Sequence, residues 1–168
     1  MIIVLMGVCG CGKTVVGEKL AEALGGSFSE GDEFHSDANR EKMRGGTPLT
    51  DEDRWPWLAS IAEAIDGWRA DGKSAVVACS ALRRVYRDIL IGDRDDVHLV
   101  HLKGDYDLIH GRLMSRSHEY MPVTLLDSQF ATLEEPTAEE NPINADIIDS
   151  PDVLVEKVAK EVYKRAGS

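Results

Sequence analysis

The sequence predicts an α/β protein in which a parallel β-sheet lies between layers of helix, and three observations carry that prediction. An apolar run, Met1-Ile2-Ile3-Val4-Leu5-Met6, leads straight into the glycine-rich stretch Gly7-Val8-Cys9-Gly10-Cys11-Gly12-Lys13-Thr14. Behind it Val16, Leu20 and Leu24 fall four apart, the spacing of one helical face, and a short strand follows. A second continuous apolar run, Ser74 to Cys79, reads as a strand buried on both faces, as parallel sheets require. Strand, helix, strand is the opening unit of a parallel sheet, and ligands in such sheets sit beyond the carboxyl ends of the strands.

The 168 residues are enough for one domain, residues 1–168, with a full sheet between helix layers. A net charge of -11 and a pI near 4.8 argue against nucleic acid or an anionic membrane as partner, while leaving room for a small anion held by local basic groups. No apolar run approaches the roughly twenty residues of a membrane span, and the chain opens on a strand without a basic leader, so the expectation is a cytoplasmic protein. Three cysteines are an odd number, and two of them, Cys9 and Cys11, lie in the glycine-rich stretch. They read as small loop-fitting side chains rather than a disulfide or a metal site, with oxidation sensitivity the alternative, because a helix N-terminus lowers a thiol pKa.

Taken in order, the glycine-rich stretch fits the phosphate-loop pattern of Gly, four residues, Gly-Lys and Ser or Thr between strand and helix. Its glycines let successive amides turn inward around a phosphate, and the following helix aims its positive end at the same anion. Lys13 then reaches the β- and γ-phosphates, and the Thr14 hydroxyl is placed to ligate Mg²⁺. A connector that only joins strand to helix has no need of Gly-Lys-Thr at this spacing. Gly25-Gly26 ends the first helix, and a strand at 27–30 delivers Glu30, Asp32, Phe34 and His35 beside the phosphates. Ser36 to Arg44 is polar and helix-compatible until Gly45-Gly46-Thr47-Pro48 breaks it. Thr50-Asp51-Glu52-Asp53 is a capping box, imperfect because Asp replaces the favoured Glu, before a helix with Leu58, Ile61, Ile65 and Trp68 on its stripe.

Ser80 follows the strand at 74–79 where a ligand loop would begin, and Arg83, Arg84, Tyr86 and Arg87 cluster beyond it. Val97 to Leu102 is the fourth strand, whose His98 and His101 read as packed or solvated. Leu108, Arg112 and Leu113 belong to a helix that runs into a polar segment with Arg116, and periodicity resumes at Leu125, Leu126 and Phe130. A polar, arginine-containing insert between two helices, at about 114–126, reads as a lid that excludes water and brings cations to a transferring group, the alternative being a solvated connector. Glu134-Glu135-Pro136 closes the next helix, Ala145 to Ile148 is the fifth strand, and Pro151 opens a last helix with Val155, Val158 and Val162 in register.

Several blocks together carry a resemblance that the loop alone does not. Gly31-Asp32 with His35, Asn39 to Met43, Pro48-Leu49 with Asp51 to Arg54 and Trp57-Leu58, Cys79-Ser80-Ala81-Leu82, Tyr86-Arg87-Asp88, Leu102 to Asp105, and Gln129-Phe130 through Glu134-Pro136 resemble bacterial-type gluconate kinases. These are nucleoside monophosphate kinase-like phosphate-loop proteins. The resemblance covers nearly the whole chain. It implies a three-layer αβα fold with a five-stranded parallel sheet, a small helical lid, transfer from ATP to the 6-hydroxyl of D-gluconate, and an assembly that in relatives is often a dimer. This chain has Cys9 and Cys11 where relatives commonly carry serine, and Glu30 where they often carry Asp, a change expected to alter how the water-mediated Mg²⁺ contact of Glu30 is made.

Phosphoryl transfer asks for alignment and charge neutralisation rather than covalent help. Lys13 and the lid's Arg116, with Arg112 second, are the expected cations, and the loop residues Gly7 to Thr14 with these two arginines form the nucleotide set. Asp32 is the expected acceptor of the hydroxyl proton or its orienting partner, with a structural cap as the alternative. Gluconate brings a carboxylate that suits Arg54, Arg84 or Arg87, and hydroxyls that suit His35, Lys42, Asp53 and Ser80. The rivals are a kinase for another acceptor, such as shikimate or a nucleoside monophosphate, and a regulatory module that binds ATP without turning it over.

Overall fold

The structure, a computed structural model, describes residues 1–115 and 123–167; Arg116 and most of the expected lid lie outside the described residues. Five parallel strands, β1 (Ile2–Met6), β2 (Ser27–Glu30), β3 (Ala75–Ala78), β4 (Val97–Lys103) and β5 (Ile143–Asp146), form one sheet in the order β2-β3-β1-β4-β5. Helices α1 (Lys13–Ala23), α2 (Asp37–Arg44), α3 (Asp51–Ala70), α4 (Arg84–Leu90), α5 (Tyr106–Ser115), α6 (Val123–Thr132) and α7 (Pro151–Ala166) complete the chain. The five-stranded α/β architecture read from the sequence is the one observed.

Strand β1 is central because it is apolar on both faces. Ile3 and Leu5 join Val76, Val100 and Leu102 in a core with Val16 and Leu20 of α1 and Val158 and Val162 of α7. Ile2, Val4 and Met6 point the other way, into a second core with Leu58, Ile61 and Ile65 of α3 and Leu90 of α4. Period-two alternation within one strand thus feeds two cores, which makes the sheet the middle of three layers. The strand order turns back on itself at β1, so the loop after β1 opens at the sheet's ligand-binding edge.

Local chemistry fixes the helix starts. Ser36 Oγ accepts from Asn39 N at 3.1 Å to open α2. At α3, Asp53 N donates to Thr50 Oγ1 (3.2 Å) and Thr50 N donates to Asp53 Oδ2 (2.9 Å), so Asp completes both halves of the box despite its shorter reach. Two expectations need adjusting. Strand β5 begins at Ile143 rather than Ala145: Ile143 and Ala145 are buried in alternation with exposed Asn144 and Asp146, whereas Ile148, which drew the reading two residues late, is 73% exposed. Helix α6 stops at Thr132, and Glu134 N instead donates to Leu82 O at 2.7 Å, tying the connector behind α6 to the turn after β3.

Candidate active site

The site is built on the turn after β1. Gly10 (φ +80°) and Gly12 (φ +96°) occupy the left-handed region that glycine adopts without cost. A Cβ on Gly10 would fall 2.7 Å from the Leu113 side chain of α5, which would have to move aside. The turn closes with Cys11 N donating to Val8 O at 3.3 Å, and Gly7 N donates to Ser80 O at 3.4 Å, which joins the loop to the segment after β3. Lys13 Nζ donates to Gly7 O (2.9 Å) and Val8 O (3.1 Å), folding its ammonium over the loop. Thr14 Oγ1 donates to Glu30 Oε1, so the hydroxyl and the carboxylate expected near a metal meet. Both are hard oxygen donors of the kind Mg²⁺ takes in ones and twos beside substrate phosphates, and the pair fits that ion.

Burial raises the pKa of Cys9 and Cys11 despite the neighbouring Lys13 ammonium, which works against thiolate formation at both. Arg112 Nη2 donates to Ile147 O at 2.5 Å just past β5.

Asp32 sits in a single 3₁₀ turn, Gly31–Phe34, after β2. A Cβ at Gly31 would lie 2.6 Å from Ala78 O, so glycine is what lets this turn press against the end of β3. Trp57 Nε1 of α3 donates to Gly31 O at 2.8 Å and holds it. The Asp32 carboxylate itself is 85% exposed. Buried Cys79 is pushed up to about 12, chiefly by desolvation. The Gly31 turn presses on Ala78 O and Gly7 N donates to Ser80 O, so the Asp32 turn and the phosphate loop both pack against the end of β3.

His35 lies against Trp57, ring centroids 4.1 Å apart and nearly parallel, with its Nε2 4.0 Å from Asp32 Oδ1. Asn39 Nδ2 donates to Asp53 O at 2.9 Å and reaches His35 Nδ1 at 3.2 Å. With the amide oriented by its first bond, Nδ1 is the acceptor and the neutral ring carries its proton on Nε2, toward Asp32. Burial lowers the His35 pKa more than Asp32 raises it, which keeps the ring neutral.

The expected substrate residues divide. Lys42 and Asp53 pair with each other, Nζ lying 3.0 and 2.9 Å from the two carboxylate oxygens, and Asp53, held at about 2 by the Thr50 amide and Lys42, serves the cap of α3. Arg54 lies in a cluster that sequence spacing did not resolve. Asp51 accepts from Tyr86 OH (2.6 Å), Arg83 Nη1 (2.8 Å) and Arg54 Nη1 (3.4 Å), and both guanidiniums sit over the Tyr86 ring at 5.5 and 5.8 Å. Among the described residues, two cations against one carboxylate leave the cluster short of an anion.

Arg84 is paired at the surface, and Arg87 is a correction. Arg84 Nη2 turns to Glu139 (3.0 Å), and Arg87, 1% exposed, donates to both oxygens of Glu140 (2.6 and 3.2 Å) and to Ala81 O (2.8 Å). A guanidinium so buried has no face for a dissolved ligand. It clamps Ala81, whose φ of +45° is a strained value for a residue with a side chain, directly after Ser80. The resemblance had singled out Tyr86-Arg87 without separating the ring that lines the arginine cluster from the arginine that braces the loop.

Sequence reasoning also assigned no role to Asn39, Trp57 or Gln129. Gln129 Oε1 of α6 accepts from Cys9 N at 2.5 Å, a contact across 120 positions that no local spacing encodes.

Comparison with known proteins agrees with this geometry. A family model described as shikimate kinase matches residues 9–166. A probable gluconokinase from Xenopus tropicalis is 43% identical, the alignment covering 98% of this chain and 95% of that protein. Among solved structures, an unliganded sugar kinase from Janibacter sp. HTCC2649 superposes with a TM-score of 0.86 at 43% identity, covering 95% of this chain and 92% of that one. A gluconokinase from Sinorhizobium meliloti 1021 gives 0.82 at 39% identity, covering 97% and 95%. With a phosphate loop, an acidic turn after β2 and near-complete coverage by relatives of this identity, the chain belongs to the gluconokinase family, within the wider kinase group that the shikimate kinase model describes.

Proposed function

We propose that the protein transfers the γ-phosphoryl group of ATP to the 6-hydroxyl of D-gluconate, giving 6-phospho-D-gluconate and ADP. The observation that carries this reading is the meeting of the phosphate loop and the Asp32 turn at the end of β3, through Gly7 N to Ser80 O and Gly31 against Ala78 O, in a chain 43% identical to a probable gluconokinase. The loop amides and Lys13 hold and neutralise the β- and γ-phosphates. Asp32, with His35 Nε2–H beside it, aligns the 6-hydroxyl and accepts its proton as the new oxygen–phosphorus bond forms and the bond to the departing ADP oxygen breaks. Thr14, and Glu30 through water, would hold Mg²⁺, which when bound spreads the charge of the β- and γ-phosphates.

Arg54 and Arg83, short of one anion beside Asp51, anchor the gluconate carboxylate with planar donors, and Ser80 on the braced turn after β3 meets a substrate hydroxyl. Arg112 works from the nucleotide side of the loop. The Lys42–Asp53 pair shapes the acceptor side of α3 without itself being spent on the ligand.

Replacement of Lys13 tests the reading. Lys13→Ala is expected to abolish turnover while the melting temperature stays near that of the wild type, because the ammonium's partners are loop carbonyls rather than core groups. A variant that keeps most of its kcat contradicts the proposed role.

A further inference from the structure

Helix α6 reaches the phosphate loop through Gln129, whose Oε1 accepts from the Cys9 backbone N–H at 2.5 Å. Cys9 stands third in the loop, ahead of the amides from Gly10 onward, in a motif whose backbone amides cradle the α- and β-phosphates. Lys13, the side chain that reaches the β- and γ-phosphates, has its Nζ at the carbonyls of Gly7 and Val8, the two residues before Cys9. Both observations place the Cys9 amide at the γ-phosphate end of the loop. The carboxamide that accepts from it carries two N–H donors on the same carbon as its oxygen, so donors of α6 stand one amide group away from that end.

The residue type fits the place. Between a backbone donor and a phosphate anion, a side chain must accept on one side and donate on the other, and a carboxamide does both without charge. A carboxylate would accept from Cys9 but repel the phosphate; a thioether of the same length would do neither. Because a carboxamide does not titrate, the contact holds across pH.

We propose that Gln129 is a γ-phosphate-contacting residue: with Oε1 held on the Cys9 amide, its Nε2–H donates to an oxygen of the transferring group. The position of α6 is thereby linked to the presence of the third phosphate. This rests on the reading of the loop as an ATP site given above, and it adds a neutral donor to the charged set of Lys13 and the metal.

The test compares ADP with a non-hydrolysable β,γ-imido analogue of ATP, by calorimetry on the full chain as wild type, Gln129→Met and Gln129→Glu, with melting temperatures alongside. Loss of one hydrogen bond to a charged group predicts about a 10-fold or greater rise in the Kd of the analogue for the Met variant, with ADP affinity changed by less than about 2-fold. The Glu variant, which keeps the Cys9 bond, is expected to lose the analogue more severely and still retain ADP. Equal losses for both nucleotides, or no loss for either, would reduce Gln129 to a strut between helix and loop and overturn the proposal. Turnover of D-gluconate by the wild type is followed in parallel. Its absence, with selective loss of the analogue intact, counts against the acceptor assignment and supports the role of Gln129.

Discussion

Asp32 and His35 show how much a site depends on groups that never touch a ligand. The exposed Asp32 carboxylate faces a histidine whose tautomer is set by Asn39 and whose plane is set by Trp57. Asp32→Asn keeps the shape and removes the proton acceptor, so kcat is expected to fall by about 10²- to 10⁴-fold while the KM for ATP changes little. Equal changes in both, measured by steady-state kinetics, would make Asp32 a structural residue. Lys13, Thr14, Asp32 and His35 were legible in the sequence because motif spacing and the end of a short strand place them. Arg87 was misread because its type suits a carboxylate, and burial beside Glu140 is decided by residues more than fifty positions away. Although burial pushes Glu140 up, its bonds to Arg87 and the Thr137 amide outweigh this and lower its pKa, as expected of a partner that stays ionised inside the protein.

Helix α3 shows what local sequence can specify at the scale of an element. Its start was readable from Thr50 to Asp53, and its buried stripe from the spacing of Leu58, Ile61 and Ile65. The folded state holds the Asp53 carboxyl at about 2, below its usual 3.8, because the Thr50 amide and Lys42 both bond the ionised form. The unfolded chain therefore takes up a proton first as pH falls. The contribution of Asp53 to stability is complete above its usual value and is lost as pH falls through about 2. Asp53→Asn is expected to lower the melting temperature at neutral pH, and the gap from the wild type should narrow as pH falls from about 4 toward about 2. A gap of constant size over that window would show that the carboxylate's charge does not support the cap. The edge strand β5 was harder to delimit: only one of its faces is buried, and the apolar Ile147 and Ile148 beyond it looked more like a strand than Asn144 and Asp146 within it.

For the molecule as a whole, the net charge of -11 stands against a proposed pair of substrates that are both anions. The fold resolves this locally. The loop after β1 brings amides and Lys13 to one side of the sheet's edge, and Arg54 and Arg83 gather around Tyr86 on the other, with Asp32 near the end of β3. The five strands and their parallel sense followed from the alternation of apolar runs and helices. The order β2-β3-β1-β4-β5 was not stated from spacing, since it is set by which faces pack together rather than by any one segment. The same limit hid the contact between Gln129 and Cys9. The most direct measurement is ADP release by the purified protein with ATP and Mg²⁺, offered D-gluconate, shikimate, AMP or no acceptor. Release driven by D-gluconate alone is the predicted result; release driven by shikimate or AMP instead, or by no acceptor at all, would contradict the assignment.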